Sequence, residues 1–188
     1  IEEARAARHD LRHHLSVFQT LLQRQDYEQL SRYLQEYLSA SATDAPLSYC
    51  PQMALNAVTA YYAQIASQAD VKFTAELNVP AELPLRDADL TVLFGNLLEN
   101  ACAASLPLPQ EEREIVFRVE ADGRKLRFTL DNRFSGELRT QESRLLSTKH
   151  EGFGLGVESA RNIAQRCGGD LQYRAEDGWF RVSGLLHF

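Results

Sequence analysis

Cysteine is scarce in this chain and poorly spaced for cross-linking. Cys50, Cys102 and Cys167 are odd in number and far apart. With no CxxC pair they suggest neither a disulfide framework nor a zinc cluster, and they fit a reducing compartment. Long apolar runs are also missing: none approaches the ~20 residues needed to cross a bilayer, and no secretory signal peptide is visible. There is no excess of positive charge. The formal net charge of −6 argues against a nucleic-acid partner, which calls for a basic surface. Internal repeats and low-complexity segments are absent. What is present is globular in composition: 44% of the 188 residues are hydrophobic and 24% charged, enough for one ordinary domain plus a smaller element.

Periodicity places the elements. Leu11, Leu15, Phe18 and Leu22 form one helical stripe in residues 1–25, roughly opposite His9 and His13. Asp26 can cap a second helix, whose stripe is Leu30, Tyr33, Leu34, Tyr37 and Leu38. Two short amphipathic helices cannot bury both stripes alone. Residues 1–41 are therefore expected to form a hairpin that pairs with a second copy into a four-helix bundle. Residues 42–47, small, polar and proline-ended, are expected to be a linker, and 48–188 a second domain. There, Leu55, Val58, Tyr62, Ile65 and Ala69 predict a helix, 71–77 a strand, and Asp87 or Asp89 the start of a helix through Ala104. Residues 115–119 and 126–130 alternate about Asp122-Gly123, a hairpin signal. The polar stretch 133–151 is too long for an ordinary connection and suggests a lid. A helix through Arg166 stops at Gly168-Gly169, and a hairpin about Asp177-Gly178 ends the chain. Helices alternating with mostly antiparallel strands make the second domain an α+β sandwich.

Three stretches carry chemistry. Asn96 and Asn100 stand four apart in the predicted helix, so their carboxamides share a face. That face differs from the one bearing Leu90, Leu93, Leu97 and Ala101. Amide oxygens suit magnesium, although asparagines also simply decorate exposed helices. Gly152, Gly154 and Gly156 leave the backbone bare just before a helix, where phosphates can approach free amides. The spacing is neither the Rossmann fingerprint nor a Walker A loop, and a plain connecting loop is the alternative. Lys149 could neutralise a terminal phosphate or be an ordinary surface lysine. Near the start, His9 is followed by Asp10. A carboxylate beside an imidazole can hold its tautomer and take its proton as the ring attacks phosphorus. His9 and His13 could instead chelate a metal, but no third ligand is placed. His14 flanks the stripe and suits packing or capping.

In this order the motifs resemble the kinase core of bacterial two-component sensor histidine kinases. The likeness is to the quorum-sensing and peptide-sensing branch with GHKL-type ATPase domains, and it covers nearly the whole chain. Arg8-His9-Asp10 matches the phosphoacceptor motif, Asn96 to Asn100 the asparagine box, and Gly152 to Gly156 the second glycine box. The resemblance implies His9 as acceptor and Asp10 as base. It implies Asn100 and Asn96 as magnesium ligands, with Glu99, Lys149, Gly152, Gly154 and Gly156 around the phosphates of ATP. Most such kinases read the adenine amino group with an aspartate after the central hairpin. Here the sequence is Leu130-Asp131-Asn132-Arg133. Alternation with Leu126, Phe128 and Leu130 puts Asn132 inward, so Asn132 is expected at the adenine and Asp131 is the reserve.

The implied function is ATP-dependent autophosphorylation of a histidine, then transfer to a response-regulator aspartate. The implied partners are a second copy of the chain and a receiver domain. The chain starts at Ile1 rather than Met. It is expected to be the cytoplasmic portion of a bacterial inner-membrane sensor whose upstream region precedes it. His13 stands where many families orient a hydrolytic water with Asn, Thr or Gln. The alternative is a phosphorelay histidine phosphotransferase or scaffold of the same architecture that no longer binds ATP, a reading favoured by the amide at position 132.

Overall fold

The computed structural model describes residues 2–38, 48–135, 140–141, 144–145 and 155–188, with side chains at 13–34, 48–135 and 156–188. The chain divides into two compact units, Ile1–Ala45 and Pro46–Phe188. The predicted linker 42–47 and most of the predicted lid lie outside the described residues.

The first unit is a helical hairpin of α1 (Glu2–Gln23) and α2 (Tyr27–Leu38). Asp26 caps α2 as predicted, its carboxylate accepting the Gln29 N–H at 3.0 Å. The seam differs from the predicted stripe. Tyr33 of α2 draws in Phe18, ring to ring at 5.8 Å, and its hydroxyl meets His14 Nδ1 at 3.0 Å. Leu21 is buried beside them. The seam thus runs through 14, 18 and 21, a helical spacing that shares Phe18 with the predicted stripe and is rotated part of a turn from it. Leu15 and Leu22 are left 53% and 52% exposed.

The second unit has two layers. Its elements are α3 (Met53–Gln68), β1 (Lys72–Asn78), α4 (Asp87–Ser105), a 3-10 turn (Gln110–Glu112), β2 (Glu114–Ala121) and β3 (Lys125–Arg133). The small pair β4 (Thr140–Gln141) and β5 (Arg144–Leu145) follows, then α5 (Leu155–Arg166), β6 (Asp170–Glu176) and β7 (Trp179–His187). The main sheet runs β1-β2-β3-β7-β6. β1 and β2 are parallel and the other neighbours antiparallel. The predicted α+β sandwich forms.

Alternation explains the layering. Ile115, Phe117 and Val119 of β2 and Leu126, Phe128 and Leu130 of β3 are buried on one face. The helices cover that face, with α4 in contact with α3, α5, β2 and β3. Phe94 of α4 packs its ring 5.3 Å from Phe117 and 5.0 Å from Phe128. The other face carries cross-strand ion pairs: Lys72 with Glu114 at 2.7 Å, Arg118 with Glu76 at 2.9 Å and Arg127 with Glu120 at 3.5 Å. Such pairs suit a sheet face in water.

The ends of the elements are tied by side chains. Buried Gln52 caps α3, its Oε1 accepting the Leu55 N–H at 2.6 Å while Nε2 donates to Asp87 at the start of α4 at 2.7 Å. Arg113 donates to the carbonyls of Leu108, Ala69 and Leu106 at 2.9, 2.7 and 3.0 Å, joining the ends of α3 and α4. At the end of α5, Gly168 takes φ 62°. The Gly169 N–H bonds the Ala164 carbonyl at 2.9 Å, a Schellman stop at the predicted place. Asp177 and Gly178 take φ 52° and 74°, which suits a two-residue hairpin turn of the mirror-image type. Among the described residues no helix is long and apolar enough to cross a membrane.

One tie depends on pH. Asp89 of α4 accepts from Arg86 at 2.8 Å and from Arg166, at the end of α5, at 2.7 Å. The Arg86 hydrogen bond, then the charges of Arg86 and Arg166, hold the Asp89 carboxyl below its ordinary 3.8. A carboxyl depressed in the folded state stabilises above its unfolded pKa, and this is lost as pH falls through the folded value. The difference in thermal midpoint between the native chain and Asp89→Asn should therefore be full at about pH 6 and shrink between about pH 5 and pH 3. A difference constant across that range would contradict the assignment.

Candidate functional site

The site is built on α4, which has two unlike faces. Leu90, Leu93, Leu97, Leu98 and Ala101 are all buried at 3% exposure or less. The apolar packing of that arc sets the rotation of the helix and turns Asn96, Glu99 and Asn100 outward. Asn96 is half-buried, and Glu99 and Asn100 are exposed. At about 100° per residue, Glu99 lies about 60° to one side of Asn96 and Asn100 about 40° to the other.

The two sides face different neighbours. Gly95 lies against Val58 of α3, so Glu99 leans toward α3. There it lines a groove with Tyr61, Tyr62 and Asn96. Burial first, and the Glu99 charge second, push the Tyr62 hydroxyl up to about 12 and the Cys102 thiol up to about 11. On the other side comes α5. A Cβ built on Gly156 would stand 3.3 Å from Asn96 Oδ1 and 3.5 Å from its Cβ and Cγ. The first turn of α5 is thus seated on the Asn96 side chain, and a residue larger than glycine would press on the amide. The Arg166–Asp89 contact holds the opposite end of the same antiparallel helix pair.

The end of β3 presents two neighbouring residues to opposite faces. Asn132, 2% exposed, continues the inward series Leu126, Phe128, Leu130 and pairs across the sheet with Ile115 and Phe180. Its Nδ2 donates to the Arg133 carbonyl at 2.9 Å. Phe180 stands beside Phe134 at 6.0 Å and Tyr173 at 6.2 Å, so apolar rings flank this end of the sheet. Asp131 points to the opposite face of the sheet, the one that carries the ion pairs. Its carboxylate takes two hydrogen bonds from Arg181, Nε at 2.6 Å and Nη2 at 3.0 Å. The fork engages both carboxylate oxygens, so Asp131 is committed there, on the face away from Asn132.

The predicted residues are thus brought together in part. Asn96 and Gly156 meet where α4 and α5 pack, Asn100 is exposed on the same side of α4 by helix phase, and Glu99 leans the other way toward α3. His9 and Asp10 belong to α1, but their side chains lie outside the described residues, as do Lys149, Gly152 and Gly154 in full. One residue was not singled out by the motifs. Ser105, fully buried in the last turn of α4, shares its hydroxyl proton between the carbonyls of Ala101 at 3.1 Å and Arg133 at 3.2 Å. Its helix phase, four residues past buried Ala101, placed a polar group in an apolar arc; that was the available signal.

The GHKL domain family matches residues 85–186, more than half of the sequence, and the chain belongs to that family. Among known proteins it is 34% identical over 107 residues to the sensor protein kinase CarS of Pseudomonas aeruginosa, covering 54% of this chain and 23% of CarS. The chain therefore spans less than a quarter of the length of that curated relative. Among solved structures, the catalytic domain of the histidine kinase ThkA superposes with a TM-score of 0.56 at 17% identity, over 71% of this chain and 90% of that one. The mycobacterial sensor histidine kinase MprB gives 0.54 at 17%, over 71% and 93%. Full-length ShkA, in complex with AMPPNP, gives 0.56 at 19%, over 80% and 32%. At these identities the structural likeness is one of fold. Taken together, the matches bear out the resemblance to a sensor histidine kinase core.

The Asp131–Arg181 fork can be tested alone. Arg181→Ala leaves a buried carboxylate without its partner, and urea unfolding should show a loss of about 1–3 kcal/mol. Arg181 is itself half exposed, which keeps the loss toward the lower end. A loss near zero would show that solvent already serves Asp131.

Proposed function

We propose that this chain is the catalytic core of a sensor histidine kinase that binds ATP with magnesium, phosphorylates its own His9, and passes the phosphoryl group to a response-regulator aspartate. The observation that carries the proposal is the seating of Gly156 on Asn96 within a GHKL domain. It supports a helix N-terminus beside an amide-bearing helix, a suitable surround for polyphosphate.

On this reading Asn132 accepts from the adenine amino group, and Phe180 and its neighbours border the base. The N-terminal amides of α5, with Gly152, Gly154 and Lys149, hold the phosphates, and Glu99, on the α3 side of Asn96, stands at the edge of the site. The side-chain oxygens of Asn100 and Asn96 are hard donors of the kind magnesium takes, so the residues fit that ion. Magnesium, when bound, offsets the charge that spreads over the transferred phosphoryl group. A nitrogen of the His9 imidazole attacks the γ-phosphorus, the bond to the bridging oxygen breaks, and ADP leaves. Asp10 takes the proton from the ring. Catalysis is mostly positioning and charge stabilisation, with the 133–151 lid gating access.

Residues 1–41 are proposed as the dimerising hairpin, 42–47 as the linker and 48–188 as the ATP-binding domain. Leu15 and Leu22, exposed on α1, support pairing with a second copy as a four-helix bundle. The proposed setting is the cytoplasmic portion of a bacterial inner-membrane sensor.

Two measurements test the proposal. The chain incubated with γ-labelled ATP and magnesium should gain acid-labile label, and His9→Gln should gain none; label on a His9→Gln chain that binds ATP would rule out His9. A native chain that binds no ATP at concentrations on the order of millimolar would favour the phosphotransferase or scaffold of the same architecture. Gly156→Val should weaken ATP binding by about tenfold or more, roughly the effect of losing 1.4 kcal/mol, with an unchanged far-ultraviolet circular dichroism spectrum. Unchanged affinity would contradict the role given to the α4–α5 contact.

A further inference from the structure

An asparagine poses a question that an aspartate does not. A carboxylate can only accept, whereas a carboxamide accepts at one end and donates at the other. Turned one way it would read a purine with a 6-amino group, and turned the other way a purine with a 6-oxo group. Something has to choose, and one contact of Asn132, backed by three contacts of Arg133, does so. The Asn132 Nδ2 lies 2.9 Å from the Arg133 carbonyl. A carbonyl only accepts, so nitrogen has to face it and Oδ1 has to face away. The Arg133 carbonyl is in turn held by the Ser105 hydroxyl at 3.2 Å, from the buried last turn of α4. The Arg133 side chain is pinned on the opposite face, its guanidinium 4.3 Å above the Trp179 ring and its Nη1 3.2 Å from the Asp177 carbonyl.

We propose that Ser105 is a specificity-determining positioning residue: by anchoring the Arg133 carbonyl it locks the Asn132 amide with oxygen toward the base, so that the site selects 6-amino purine nucleotides over 6-oxo ones. This rests on the nucleotide-binding reading of the site above. Ser105 touches neither base nor phosphate; it acts through two successive hydrogen bonds. Without it the Arg133 carbonyl loses one donor and is freer to tilt off the Asn132 Nδ2, so the flipped orientation of the amide costs less. Discrimination falls while the phosphate contacts on α4 and α5 stay as they are.

The test is a double-mutant cycle on the full chain. Dissociation constants for ATP and for inosine triphosphate, each with magnesium, are measured in the native chain, Ser105→Ala, Asn132→Asp and the double variant. The native chain should prefer ATP by about ten- to a hundredfold, the scale of leaving one buried polar group unpaired. Ser105→Ala should lower that ratio by about threefold or more. Asn132→Asp, checked for folding by far-ultraviolet circular dichroism and urea unfolding, removes the donor that reads the Arg133 carbonyl while keeping an acceptor for the base, so the preference should remain and Ser105→Ala should then change nothing further. In the nucleotide-free chain the Asn132 side-chain NH2 protons should exchange slowly by NMR, and quickly in Ser105→Ala. An unchanged ratio in Ser105→Ala overturns the lock. So does an equal loss of preference in the Asn132→Asp background, which would make Ser105 merely structural. A native chain that binds neither nucleotide overturns the underlying reading instead, and is told apart because the exchange measurement needs no ligand.

Discussion

The buried arc of α4 governs the second unit. Leu90, Leu93, Leu97, Leu98 and Ala101 pack into the core, and Phe94 meets the inward rings of β2 and β3. Burial of that apolar surface is the largest favourable term available to a small domain. It also fixes rotation, since a helix turned by one residue would carry a leucine into water and an asparagine into the core. The polar arc inherits its orientation from the apolar one. The side ties then set the tilt of the neighbours: Gln52 and Arg113 fasten α3 to the two ends of α4, and Arg166 with Gly156 lays α5 along it. The placement of Asn96 and Asn100 thus depends on packing on the far side of the same helix.

The end of β3 shows how a sheet separates two polar residues. Asp131 and Asn132 are neighbours in sequence, yet the pleat sends them to opposite faces of the sheet. The charged one meets Arg181 on the face lined by other ion pairs. The neutral one enters the layer that holds the helices, where a carboxylate without a partner would be costly. An amide at that place is compatible with burial, and its nitrogen finds the Arg133 carbonyl. Committing Asp131 to Arg181 leaves Asn132 as the group at this strand end that can present an acceptor to a base.

Local pattern carried much of this. Strand alternation placed Asn132 inward, helix phase separated Asn96 and Asn100 from the leucines beside them, and turn chemistry marked Asp122-Gly123, Asp177-Gly178 and Gly168-Gly169. Each depends on residues close in the chain. What pattern could not supply depends on partners far apart. Asp131 is out of phase with the buried series, and alternation alone would expose it; Arg181, fifty positions on, covers it. The seating of Gly156 on Asn96 joins two helices with four strands between them. Ser105 acts through a carbonyl, which no side-chain motif encodes. On α1, the seam shares Phe18 with the predicted stripe but takes His14 and Leu21 in place of Leu15 and Leu22, because Tyr33 of α2 meets His14 and Phe18.

The central claim is that one nucleotide site is assembled from α4, the start of α5 and the end of β3. It is tested most directly by a crystal structure of the chain with a non-hydrolysable ATP analogue and magnesium. The account predicts the phosphates at the start of α5, the metal on Asn100 or Asn96, and the adenine amino group within hydrogen-bond distance of Asn132 Oδ1. A base bound from the Asp131 face of the sheet, or a nucleotide lodged away from the α4–α5 contact, would contradict it.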